Sequence, residues 1–306
     1  LFIVMSIITT RADEDFRGRS NRRRFFAARC FEGRVCASAF ARRIVYFCGA
    51  RVYNEYKAAG GAGRSKHLPF RRKEEIFMRI SGLQKTTLLD FPGRVACTIF
   101  LNGCNFRCPF CQNSEILDGR GGEDIPEEEL FAFLRKRKGI LDGVCVSGGE
   151  PLVHAETLEL LGKIKALGYG VKLDTNGAFP ERLKEAARAG LIDFVAMDIK
   201  NSPKNYAKTA GVAVDMAKIE ESAKFLMESG IEYEFRTTVV KELHAAEDFI
   251  RIGQWLRGAK RYFLQTFRDG DTVLKSGLTP CTDAEMQTFK QLLKPYILNV
   301  LIRGEE

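Results

Sequence analysis

The chain has 306 residues, 45% of them hydrophobic, with a single Trp and a net charge of +9 at pH 7, which is enough for one large domain or two ordinary ones. The charge is uneven: residues 1 to 77 carry 17 Lys and Arg against 7 Asp and Glu, and residues 78 to 306 carry 31 against 32. The longer part is therefore balanced, which argues against nucleic acid as its partner, and no stretch reaches the roughly 18 consecutive apolar residues of a membrane-spanning helix.

Residues 1 to 77 hold runs such as Arg22, Arg23, Arg24 and Arg71, Arg72, Lys73, a Gly/Ala stretch at 58–63, and no sustained periodicity. They are expected to be a poorly ordered basic extension, either an arm for an acidic partner or translated upstream sequence. On the second reading the functional protein starts at Met78. The apolar opening LFIVMSIITT lacks a basic flank and is too short to span a bilayer.

From residue 90 onward strand-like and helix-like runs alternate. Strands are predicted at 95–101, 143–147, 170–174, 194–199, 233–240 and 262–266, and helices at 126–138, 154–167, 180–189, 215–229, 245–257 and 282–293. Six strand–helix pairs are fewer than the eight of a closed barrel, so the fold expected for 78–306 is an α/β, partial (open) (βα)6 TIM-like barrel. Polar segments stand at the strand ends where such folds gather their chemistry: 102–113 after the first strand, 147–151, 174–177, and Asp198 with Lys200.

The nine cysteines suit a reducing, cytoplasmic setting, and three of them, Cys104, Cys108 and Cys111, fall within eight residues. Three thiolates on one loop can wrap one iron–sulfur cluster and leave one iron open. A structural zinc site or an electron-transfer cluster would want a fourth ligand. Cys97 and Cys145 lie within predicted strands and read as buried hydrophobes, and Cys281 follows a Pro in a turn. Gly148-Gly149-Glu150-Pro151 and Asp174-Thr175-Asn176-Gly177 are each legitimate turns. Asp198 and Lys200, two residues apart, could be a surface ion pair. Arg236, inside an apolar strand, should point to a pocket or to a partner carboxylate. His67, His154 and His244 are assigned to solvent and given no role.

The Cys-x3-Cys-x-aromatic-Cys loop, with Phe110 as the aromatic, resembles the signature of the radical S-adenosylmethionine superfamily. The resemblance implies one 4Fe-4S cluster on Cys104, Cys108 and Cys111, its open iron chelating S-adenosylmethionine, with Phe110 packed near the cofactor. It implies that Gly148, Gly149 and Glu150 lie along the methionine part and that Glu150 meets the ammonium. The "DTNG" and "D-x-K" segments are similar to those of glycyl radical enzyme activating proteins. On that likeness Lys200 meets the cofactor carboxylate and Asp174, Thr175 and Asp198 line the pocket, where some relatives hold a monovalent cation. Arg236 is carried with these cofactor-binding residues, and Gln265 or Thr266 stands where some relatives place a His.

Leu83-Gln-Lys-Thr-Thr-Leu-Leu-Asp-Phe-Pro-Gly93, the cysteine loop and Val300-Leu-Ile-Arg-Gly304 resemble the activating protein of anaerobic ribonucleoside-triphosphate reductase, with Gln112 in place of a common His. That likeness implies a glycyl radical enzyme as protein substrate and an external one-electron reductant such as flavodoxin or ferredoxin. The 36 residues between Cys111 and Gly148 leave no room for an insert with further clusters. The alternatives are activation of another glycyl radical enzyme of the pyruvate formate-lyase type, chemistry on a small molecule, or a structural zinc knuckle in a binding protein.

Overall fold

The structure is a computed structural model that describes residues 77–119 and 121–304. The expectation for residues 1 to 77, and with it His67, therefore lies outside the described residues except for Phe77. One eight-stranded sheet runs in sequence order through β1 (Ile80–Thr87), β2 (Ala96–Leu101), β3 (Gly143–Gly148), β4 (Gly170–Thr175), β5 (Phe194–Asp198), β6 (Glu232–Val239), β7 (Arg261–Thr266) and β8 (Asn299–Ile302). β1 pairs antiparallel with β2, and every later neighbour is parallel. The two edge strands do not pair with each other, so the sheet stays open.

Helices α1 (Glu127–Lys136), α2 (Thr157–Ala166), α3 (Pro180–Arg188), α5 (Met216–Glu228), α6 (Ala246–Trp255) and α7 (Asp283–Leu293) make the crossovers, with a short α4 (Tyr206–Ala210) before α5. Local chemistry fixes several of their starts. Thr282 Oγ1 accepts from Glu285 N at 3.2 Å while Glu285 Oε2 accepts from Thr282 N at 2.7 Å, a reciprocal cap on α7. Asp215 Oδ1 accepts from Ala217 N at 3.2 Å and caps α5. The helix predicted from 154 begins at Thr157, because Pro151–Val153 first make a single 3-10 turn.

Alternation along the strands separates two buried environments. Val144, Val146, Val171, Leu173, Val195 and Met197 join the apolar core with Leu134, Leu160 and Ile164 of the helices. Their alternates Ser147, Lys172, Asp174, Asp198, Glu234 and Arg236 face one another across the inner side, where their polar groups find partners. The predicted strands are all present. β1, β8 and α4 were not anticipated: β1 is an edge strand with two register breaks against β2 and three consecutive exposed residues, and β8 has four residues, so neither carries a sustained period.

Candidate active site

The segment after β2 folds into a loop held mainly by its own backbone. Gly103 N donates to Ile116 O at 2.8 Å, Cys104 N to Leu117 O at 3.1 Å, Arg107 N to Ala210 O at 2.9 Å and Cys111 N to Cys108 O at 3.0 Å. Arg107 Nη1 adds bonds to Cys104 O at 2.7 Å and Phe106 O at 2.8 Å. These bonds bring Cys104, Cys108 and Cys111 to one cavity of about 260 Å³, which Phe110, Gly148, Gly149, Asp174 and Thr175 also line. Asp198, Lys200, Arg236, Thr238 and Gln265 complete its far wall.

Burial pushes the Cys104 thiol up to about 12 and the Cys108 thiol to about 11, and raises Cys111 for the same reason. Lys200 pulls the other way at all three, and a bound metal would supply the further positive charge that favours their thiolates. Among the described residues no three His, Cys, Asp or Glu side chains converge closely enough for a single metal ion. All three cysteines line one cavity, and a set of three soft thiolate donors without a fourth fits a cluster with one open iron better than a four-coordinate structural zinc.

The glycine motif is glycine because two loops meet there. Gly148 has φ of +120°, and a Cβ on it would overlap the backbone of Leu101; one on Gly149 would overlap the Gly103 carbonyl. Gly149 N donates to Leu101 O at 2.9 Å, Glu150 N to Gly103 O at 2.8 Å, and Asn113 Nδ2 to Gly148 O at 3.0 Å. The motif is thereby fastened to the cysteine loop.

Glu150 takes a different position from its neighbours. Its carboxylate is fully buried and accepts from Leu152 N at 3.1 Å, Thr175 Oγ1 at 2.8 Å and Asn176 N at 2.6 Å. It does not line the cavity with Gly148 and Gly149; it ties the loop after β3 to the end of β4. Burial pushes its pKa up to about 7 against the pull of those three donors.

The far wall is an ion network carried by strand ends. Arg236 on β6 bridges Asp174 on β4, at 3.1 Å from Nη2, and Asp198 on β5, through Nε. Lys200 Nζ lies 3.0 Å from Asp198 Oδ2, Lys172 Nζ pairs with Asp174 Oδ1, and Ser147 Oγ donates to Asp174 Oδ2 at 3.0 Å. Burial alone would raise both Asp pKa values, but Arg236 with Lys172 or Lys200 outweighs it and holds both carboxyls below the usual range. Within the cavity lining Lys200 and Arg236 stand against Asp174 and Asp198, and Lys172 adds a positive charge beside Asp174 without lining the cavity itself. Asp198 and Lys200 are thus not the surface pair their spacing allowed: their side chains are 27% and 14% exposed, inside the cavity.

The solvent reading of the two described histidines is overturned. His154 is buried with Nε2 2.9 Å from Asn102 O. His244 is buried too, its Nδ1 accepting from Val240 N at 3.0 Å, which leaves Nε2 to donate to Lys200 O at 2.9 Å. Polar residues flanked by apolar ones hid these roles. Lys172 was missed as well, although it sits two residues before Asp174 in Val-Lys-Leu-Asp-Thr and the strand period places both on one face. Gln265 lines the cavity and Thr266 is exposed, which decides between the two. Gln112 donates from Nε2 to Arg268 O at 2.8 Å, clasping a strap of residues 267–281 that follows β7. No motif announced that strap.

The profile of the Radical SAM superfamily matches residues 98–253, a span that contains the three cysteines, the glycine motif and the ion network. The chain is 30% identical over 235 residues to a protein of Methanocaldococcus jannaschii described as a "Putative glycyl-radical enzyme activating enzyme", covering 73% of this chain and 95% of that one. It is 28% identical over 241 residues to the pyruvate formate-lyase 1-activating enzyme of Escherichia coli, covering 72% and 97%. Among solved structures, Streptococcus suis SuiB bound to S-adenosylmethionine superposes with a TM-score of 0.54 at 17% identity, over 66% of this chain and 48% of that one, a likeness of fold. No helix among the described residues is long and apolar enough to cross a membrane. The chain belongs to the radical SAM superfamily, the enzymes that use a 4Fe-4S cluster and S-adenosylmethionine.

Proposed function

We propose that this chain is the activating enzyme of a glycyl radical enzyme and that its partner is an anaerobic ribonucleoside-triphosphate reductase. The observation that carries the activase reading is a match to glycyl radical activating enzymes over nearly their whole length, with one cavity holding the cysteines, the glycine motif and Lys200. The stretches 83–93 and 300–304 support the choice of reductase; the first spans the end of β1 and the turn into β2, where Leu88 and Leu89 are exposed. The second forms β8, and its Arg303 reaches Glu234 at 2.7 Å.

When bound, the cluster and S-adenosylmethionine supply a 5'-deoxyadenosyl radical that removes a Cα hydrogen from a glycine of the partner. The chain's own residues do the rest. Cys104, Cys108 and Cys111 hold the cluster, and Phe110 covers the cofactor. Gly148 and Gly149 offer backbone groups to its methionine part, and Lys200 takes its carboxylate. Thr175, Asp174 and Asp198 line the pocket, while Arg236 keeps both carboxylates ionised and fixed; no monovalent cation is needed in that role because Arg236 and Lys172 already occupy Asp174. Glu150 holds the glycine motif in place from behind, and a contribution to the ammonium site would pass through that motif. A flavodoxin or ferredoxin supplies the electron.

The 28% identity to the Escherichia coli enzyme favours a second reading, a partner of the pyruvate formate-lyase type. Anaerobic incubation of the iron-reconstituted chain with S-adenosylmethionine, reductant and either candidate partner separates the two. A glycyl radical doublet in electron paramagnetic resonance on the reductase is expected. A doublet on pyruvate formate-lyase alone would transfer the assignment, and cofactor cleavage with neither would point to a small-molecule substrate.

A further inference from the structure

Four segments close a ring over the outer side of the cysteine loop. Arg107 N donates to Ala210 O at 2.9 Å, joining the loop to residues 204–211, and Lys208 Nζ donates to Glu242 O at 3.2 Å. Lys241 N donates to Thr279 O at 3.1 Å, which reaches the strap after β7. The strap returns to the start: Leu274 N donates to Cys111 O at 3.1 Å and Lys275 N to Pro109 O at 2.9 Å. An exposed segment thus lies one hydrogen bond from the backbone of a cluster-binding cysteine.

The side chains of this ring are not those of an average surface. Residues 104–114, 204–211, 240–242 and 267–281 hold six basic residues, Arg107, Lys204, Lys208, Lys241, Arg268 and Lys275, against three acidic ones, Glu242, Asp269 and Asp271. Residues 78 to 306 as a whole are balanced at 31 against 32. Lys204, Lys208, Arg268 and Lys275 are exposed, and Leu274 among them is 44% exposed. Glu242, Asp269 and Asp271 are exposed too, so the ring is a mixed surface with a positive excess around one exposed leucine, a poor base for a stable assembly and a good one for brief electrostatic encounters.

We propose that this ring is the docking surface for a small acidic one-electron carrier protein, with the exposed Leu274 as its apolar contact and Lys204, Lys208, Arg268 and Lys275 facing the carrier's carboxylates. The proposal rests on the reading of the site as a cluster that needs an external electron. One electron passes inward; the carrier is oxidised by one and the cluster reduced by one, with no bond or proton moved. The ring suits the carrier rather than the glycyl radical partner, since the partner's glycine must enter the cavity, whereas an electron needs only a short path to Cys111.

The test uses the full chain and its variant K204E/R268E/K275E, with flavodoxin as the carrier. Calorimetric titration with oxidised flavodoxin at low and high salt reads docking directly. Cofactor cleavage driven by reduced flavodoxin is compared with cleavage driven by dithionite, and glycyl radical formation is measured with dithionite. The expected result is a loss of about tenfold or more in flavodoxin affinity and flavodoxin-driven rate, wild-type affinity that falls with salt, and dithionite-driven rates equal to wild type. Unchanged flavodoxin affinity and rate would overturn the proposal. So would normal cleavage with dithionite but a loss of glycyl radical, which would give the surface to the other partner. If the triple variant loses dithionite-driven cleavage as well, R268E and K275E singly, read by calorimetry, decide the matter. A wild type that does not cleave the cofactor with dithionite would defeat the functional reading, and calorimetry would still test the docking.

Discussion

The cysteine loop and the ion network line the same cavity but are held in opposite ways. The loop is fixed mainly by backbone hydrogen bonds to Ile116, Leu117 and Ala210, to which the Cys104 thiol adds one weak bond from Phe106 N at 3.3 Å. The network is fixed by its own charges: Asp174, Asp198 and Arg236 sit on strands, and each is partly buried next to its counterions. Removing a thiol should therefore cost chemistry and leave the fold, whereas removing a network charge should cost the fold itself.

The largest effect tests the first half. Cys111→Ala should reduce iron incorporation and cofactor cleavage to background, while chemical denaturation of the unreconstituted chain shifts by no more than about 1 kcal/mol. Iron and sulfide analysis beside a denaturation curve reads both. A variant that unfolds would show that the thiol, not the backbone, organises the loop.

The second half predicts a smaller loss of a different kind. Arg236→Met leaves Asp174 with Lys172, and Asp198 with Lys200, but removes the guanidinium that joins the two pairs. Stability should fall by about 1.5–3 kcal/mol, the cost of removing charge-assisted hydrogen bonds from two partly buried carboxylates that each keep a lysine. Denaturation of the metal-free chain measures it without reference to activity. A loss below about 1 kcal/mol would mean that water already screens the network and that the two regions do not differ as described.

The same contrast explains what could be read from the sequence. The three cysteines announce themselves because they are close along the chain, and the strands because they are apolar runs of five to eight residues set between helix-like runs. The network was legible only in part: Asp174, Asp198, Lys200 and Arg236 could be named, but that Arg236 joins two strands depends on the register Asp198 to Arg236, which no local pattern encodes. Glu150 was expected to meet the cofactor's ammonium because the superfamily resemblance implies it. A residue at the start of a 3-10 turn can point backward, and here three donors behind it decide the direction. The strap over the cysteine loop is irregular and mostly polar, and its bonds come largely from backbone groups that every residue possesses, so composition gave no sign of it.

His244 holds the segment that carries Lys200, and it yields the smallest predicted effect. Its Nε2 donates to the Lys200 carbonyl just past β5, and its ring stands 5.9 Å from that of Phe249. Burial lowers its pKa from 6.5, opposed by the carbonyls it touches and by Asp248, and assisted by Lys208. In the unfolded chain the imidazole takes up a proton near its ordinary pKa of about 6.5, whereas the folded ring resists it. The stability it contributes is therefore complete above that pH and is lost as pH falls below it, by at most about 1.4 kcal/mol per pH unit. His244→Gln keeps a donor for the Lys200 carbonyl and removes the titration. Urea denaturation of wild type and variant between pH 7.5 and 5.5 should show the stability difference shrinking or reversing toward acid. Parallel curves would mean that the ring is already reached by solvent, and the segment carrying Lys200 would then be held by Asp198 and the strand alone.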